Sequence, residues 1–245
     1  MTAIAVGASA WYASTRTPPA FDPPTDAAGS SEPTSSAAST APATEDTPVL
    51  AFYGDWHVSG TELGGQGAAG WPAIVSERIG AEATVAHAVP SAGYVATAAT
   101  TGDTFPTLVQ NGPEPTADVT IVFGGRNDYP FPPEEIAAAA TRTFEAIRAA
   151  APETELLVIG PAWSDAAVPP ELPPVRDAVQ QAAAAAGATF VDPLAEGWFF
   201  DGTGLIGADL ISPTDAGHVY LADRIEPVVR RLLAEVPGTA AAATP

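Results

Sequence analysis

Four polar segments carry the side chains that could do chemistry in this chain. They are Gly54-Asp55-Trp56-His57-Val58-Ser59-Gly60, Ser91-Ala92-Gly93-Tyr94, Gly124-Gly125-Arg126-Asn127-Asp128 and Asp209-Leu210-Ile211-Ser212-Pro213-Thr214-Asp215-Ala216-Gly217-His218. Hydroxyls, imidazoles, carboxylates and glycine-flanked amides are the parts of acyl transfer, which needs a nucleophilic oxygen, a base within hydrogen-bond reach and donors for an oxyanion. The supply is thin. The chain holds three His (His57, His87, His218) and no Cys. Thiol nucleophiles, disulfides and thiolate metal sites are thereby excluded. No His pair has metal-ligand spacing, so neither a metal nor another cofactor is expected. Asp128 and Asp209 could pair as acid and base; the alternative, which we prefer, has Asp128 anchoring backbone amides of its own loop.

These segments must be held by something, and the apolar pattern says what. Val49 to Tyr53, Ala83 to Val89, Val119 to Phe123, Leu156 to Ile159 and Thr189 to Val191 read as strands. Helices are predicted over Trp71 to Ile79, Pro133 to Ala150, Pro174 to Ala186 and Thr214 to Leu233. Pro in a first turn, early Glu134 and Glu135, later Arg142 and Arg148, and a closing Gly187 are the expected terminus signals. Alternating strands and helices, with continuously apolar strands, imply a parallel sheet covered on both faces. In such sheets the functional loops lie beyond the strand carboxyl ends, where the polar segments fall.

Order and spacing of the four segments, from about Val49 to Glu235, resemble the SGNH/GDSL hydrolase superfamily. The resemblance implies an α/β fold, a three-layer α/β/α sandwich on a flavodoxin-like parallel five-stranded sheet. It implies ester hydrolysis by a Ser in a Gly-Asp-Ser block and a His in an Asp-x-x-His-Pro block. Gly54 and Asp55 match the first block, Gly93 the second, and Gly125, Asn127 and Asp128 the Gly-x-Asn-Asp block. Gly93, Gly125 and Asn127 are thus oxyanion-hole-like. Asp209 and Pro213 match the ends of the last block. Trp56 stands at the nucleophile position and Ser212 at the catalytic His position. An indole offers only an N–H donor, and a Ser hydroxyl is a very poor base near neutral pH. No catalytic residue is therefore assigned, and Asp209 is the retained member of the site.

Neighbouring residues are weak substitutes. His57 is expected to point away from the nucleophile position at a tight turn, as a loop or shell residue. Ser59 reads as a capping hydroxyl, His218 as structural or peripheral, and His87 as a packed core His. Arg126 suits either an anionic ligand or a surface ion pair. Trp198-Phe199-Phe200 would either line a groove or cover the sheet edge. Asp55, His57, Arg126, Asp128 and Trp198 are the candidate pocket residues.

Composition narrows the partners. Of 245 residues, 29 are acidic and nine are basic, all Arg, for a net charge of −20. Phosphate backbones would repel such a chain, so no nucleic-acid partner is expected. Residues 1–14 resemble the apolar part of a secretion signal or anchor, without its positive flank. Residues 15–48 read as a disordered Pro/Ser/Thr/Ala linker, 49–236 as the hydrolase-like domain, and 237–245 as a disordered tail. An extracytoplasmic location at a bacterial cell envelope follows as an expectation, secreted or associated with a membrane through the N-terminus. The favoured reading is a catalytically degenerate domain that binds a ligand or partner, with acylated lipids or glycans as the ligands the resemblance suggests. The alternatives are an active esterase with a rearranged site and a purely structural interaction module. The residues leave the oligomeric state open.

Overall fold

The computed structural model describes residues 47–236. The expectations for 1–14, for 15–46 and for 237–245 lie outside the described residues. Five parallel strands form one sheet: β1 (Val49–Gly54), β2 (Glu82–Ala88), β3 (Val119–Phe123), β4 (Glu155–Ile159) and β5 (Thr189–Val191), in the order β2-β1-β3-β4-β5. Each strand is within a residue of its predicted position, and the order is the flavodoxin-like one.

Alternation along the strands decides which helix covers which face, because successive side chains point to opposite sides. Ala51, Tyr53, Val122, Leu156 and Val158 face one way. They pack against α3 (Phe105–Asn111), α4 (Pro133–Ala150) and α5 (Leu172–Ala185). Leu50, Phe52, Ile121, Phe123, Leu157 and Ile159 face the other way, against α2 (Trp71–Ile79) and α6 (Asp215–Leu233). Every residue of β3 is buried, as a central strand with two covered faces requires. Two elements were not located from sequence. α1 (Trp56–Ser59) is a single turn capped by the Asp55 side chain. α3 supplies the required crossover between β2 and β3, and starts with a Thr104/Thr107 capping box.

The register matters most for the site. Gly54 pairs with Phe123, Phe123 with Ile159, and Ile159 with Val191. Four strands therefore end level, and the segments that follow them converge at one end of the sheet. Among the described residues no helix is long and apolar enough to cross a membrane.

Candidate functional site

Asp55 leaves the end of β1 with its carboxylate fully buried. Its Oδ1 accepts the His57 amide at 2.9 Å and lies 2.9 Å from His57 Nδ1. Because an ionised carboxylate only accepts, Nδ1 carries the proton in this pair. Asp55 Oδ2 accepts from Asn127 Nδ2 at 3.2 Å, and the same amide nitrogen donates to the Ala92 carbonyl at 2.8 Å. Both Asn127 protons are thus engaged inside the protein. The Gly93 amide is likewise used, donating to Ala96 O at 2.9 Å. Two of the three oxyanion-hole-like positions spend these donors on their own scaffold.

Asp128 shows why a glycine stands at position 93. Its buried carboxylate accepts from the backbone N–H groups of Tyr94, Val95 and Ala96, each at 2.8 Å. A Cβ on Gly93 would lie 2.6 Å from that carboxylate. Gly125 starts the turn at φ +110°, a left-handed conformation that favours glycine. Burial raises the Asp128 pKa, the three amides oppose it, and nearby Asp55 adds to the rise. Asp128 acts as a strut between two loops.

Asp209 is exposed and local. Its Oδ1 accepts from the amides of Ile211 and Ser212, and its Oδ2 accepts the Ser212 hydroxyl at 2.6 Å. Burial pushes the Asp209 pKa up, but the Ser212 hydroxyl and these amides together outweigh it and hold it below the ordinary value. The carboxylate that would orient an imidazole is closed on by a hydroxyl.

Several expectations need correction. His57, expected as a loop or shell residue, is 1% exposed, turned back onto Asp55 and stacked on Phe123 at 4.9 Å between centroids, which makes it a shell residue. Ser59 does not cap a helix start; its hydroxyl donates to the Gly60 carbonyl at 3.0 Å, while Asp55 is the cap. His87 is not core-packed. β2 is an edge strand, which leaves His87 half-buried beside Glu114 Oε1 at 2.7 Å and stacked on Tyr53. Trp198 is 1% exposed and packs edge-on against Phe123, so it belongs to the core and lines no groove.

His218 is fully buried in α6. Its Nδ1 accepts the Trp71 amide at 3.3 Å, and its Nε2 has no partner among the described residues. Burial, helped by nearby His57 and opposed by Asp215, lowers its pKa to about 4. Trp71 links the His218 ring to the His57 backbone, because its Nε1 donates to the His57 carbonyl at 2.6 Å. Trp56 is half-buried, and its Nε1 is shielded with no partner among the described residues. Arg126 lies with its guanidinium 3.9 Å above the Trp163 ring. Trp163 went unnoticed in the sequence, although it follows β4 in the kind of loop where functional residues are expected. Among the described residues there is no group of three or more His, Asp or Glu that could hold a metal ion.

The GDSL-like lipase/acylhydrolase family model matches residues 52–220. The chain belongs to this family. It is 40% identical over 187 residues to GDSL lipase Rv0518 of Mycobacterium tuberculosis, covering 74% of this chain and 80% of that protein. Solved structures share its fold. The crystal structure of TesA matches at a TM-score of 0.59 and 18% identity, over 75% of this chain and 99% of that one. A lipase/acylhydrolase from Enterococcus faecalis matches at 0.59 and 14%, over 76% and 96%. The family scaffold, a parallel sheet flanked by helices with a GDSL-like hydrolase domain, is therefore established.

Proposed function

We propose that this GDSL-family domain does not hydrolyse esters by the Ser/His route, and that it is an exported binding domain acting at the cell envelope. The observation that carries the reading is the pairing of Ser212 Oγ with Asp209 at 2.6 Å, in a site whose nucleophile position holds Trp56. A hydroxyl fills the bond that an imidazole would make, and an indole stands in place of the attacking oxygen. Loss of either member typically costs many orders of magnitude in acyl transfer. Export rests on the signal-like residues 1–14 and the Pro/Ser/Thr/Ala segment that follows them.

The test is hydrolysis of short-chain esters by the wild type and by Trp56→Ser/Ser212→His. The wild type is expected to show no turnover above background. Recovery in the double variant would show that the rest of the site is still preorganised. One observation favours a second reading, an active esterase with a rearranged site: the buried Asp55–His57 pair leaves His57 Nε2 as a base, and the 40% identical relative is called a lipase. Wild-type turnover that disappears in His57→Gln would establish that reading and overturn the first.

A further inference from the structure

We infer that Arg126, with the loops around it, receives a small amphiphilic carboxylate, an anionic head with a short apolar body. The inference deepens the binding reading above and rests on it. Arg126 is 8% exposed, yet it makes no ion pair and no hydrogen bond among the described residues. Most other described arginines differ. Arg78, Arg176, Arg224 and Arg230 each stand beside a carboxylate. With 29 acidic residues against nine Arg, an Arg this buried whose guanidinium still reaches solvent without an ion pair among the described residues is unexpected.

The neighbouring carboxylates do not fill the gap. Asp55, Asp209 and Asp165 contribute to the field at Arg126; Asp165 is exposed, accepts the Ala167 amide at 2.7 Å and makes no ion pair with Arg126. Asp55 is committed to His57 and Asn127, and Asp209 to Ser212 and two amides. The Trp163 ring covers one face of the guanidinium and leaves its edge, where the N–H fork lies. A carboxylate matches that fork in shape, through two parallel hydrogen bonds. One guanidinium matches it in charge, whereas a dianionic phosphate would leave excess negative charge beside Asp55 and Asp209. The field of a −20 chain opposes any anion, but at physiological salt it is screened beyond about 8 Å.

The apolar body has partners at the same end of the sheet. Tyr129 is 45% exposed and contributes to the field at Arg126. Leu210, next to Asp209, is 70% exposed and held at φ +58°. A bulky side chain in the left-handed region is a costly outlier, and such strain collects at ligand-binding positions. Here it holds a large apolar group out in solvent.

Calorimetric titration of the full chain tests the assignment, with octanoate, acetate, 1-octanol and inorganic phosphate as probes at fixed ionic strength. Octanoate is expected to bind at least tenfold more tightly than the other three. Arg126→Met should weaken octanoate at least tenfold, and Arg126→Lys several-fold, because an ammonium lacks the planar fork. Leu210→Asn suits the left-handed backbone and should fold at least as well as the wild type. It should weaken octanoate several-fold and leave acetate unchanged. Absence of octanoate binding, equal binding by Arg126→Met, or phosphate binding as tightly as octanoate would each overturn the assignment. Binding is read without turnover, so ester hydrolysis by the wild type would sink the non-hydrolytic reading separately.

Discussion

Asp128 and Asp209 are both carboxylates of the polar segments beside the sheet, and the protein uses them in opposite ways. Asp128 is buried and bonds to amides 32 to 34 residues away. Asp209 is exposed and bonds only to groups two and three residues on. The first ties the loop after β3 to the loop after β2; the second shapes one turn. A position joined to a local turn tolerates replacement, because any short hydrogen-bonding side chain can close the turn. Ser212 closes it here. A carboxylate that gathers buried amides from another loop leaves no such freedom.

The comparison can be broken at either end. Asp128→Ala should have the largest effect. It would strip three backbone N–H groups of their acceptor, two of them buried, at roughly 1–3 kcal/mol for each buried group. A denaturant melt should show a loss of about 3 kcal/mol or more. A loss below 1 kcal/mol would mean that water or a shifted loop replaces the carboxylate.

An intermediate effect should come from pH, through the helix that follows the Asp209 turn. His218 has its pKa lowered to about 4 from 6.5. The unfolded chain then binds more protons than the folded one between these values, so stability is full above pH 6.5 and falls as pH drops to 4. The whole window corresponds to about 3 kcal/mol for a group this buried. Denaturant melts from pH 7 to 4 measure the slope, and His218→Gln should flatten it whatever its effect on absolute stability. An unchanged slope in that variant would assign the acid sensitivity elsewhere.

Ser212→Ala should have the smallest effect, about 1 kcal/mol, because a single hydrogen bond to an exposed carboxylate is lost and Asp209 keeps water and two amides as partners. Its clearer signature is electrostatic. Without the hydroxyl, the Asp209 pKa should move up toward its ordinary value, as read by carboxyl NMR titration. A loss comparable to that of Asp128→Ala would erase the distinction between strut and turn.

Much of the scaffold was legible. Four helices and five strands stand out in the apolar pattern because burial on one face or two leaves a local period. α3 was harder, since it is short and its start is marked by Thr104 and Thr107 rather than by an apolar run. The side-chain partners were less legible. His57 next to a tight turn reads as a loop residue, but burial against Phe123 sends it back onto Asp55. His87 reads as core until the strand order puts β2 at the edge. Trp198 reads equally well as groove or cover, and packing against Phe123 decides it.

By itself the sequence determined the strand-and-helix succession, the clustering of polar segments after strands, and the presence of Trp56 in the first of those segments and Ser212 in the last. These follow from local periodicity and from side-chain chemistry, neither of which needs coordinates. The tertiary structure alone decided that Asn127 and Gly93 spend their donors internally and that, among the described residues, His218 is buried with one nitrogen unpartnered and Arg126 lies on Trp163 without an ion pair. Each is a matter of which groups meet across tens of residues once two sheet faces are packed, and no local pattern encodes that.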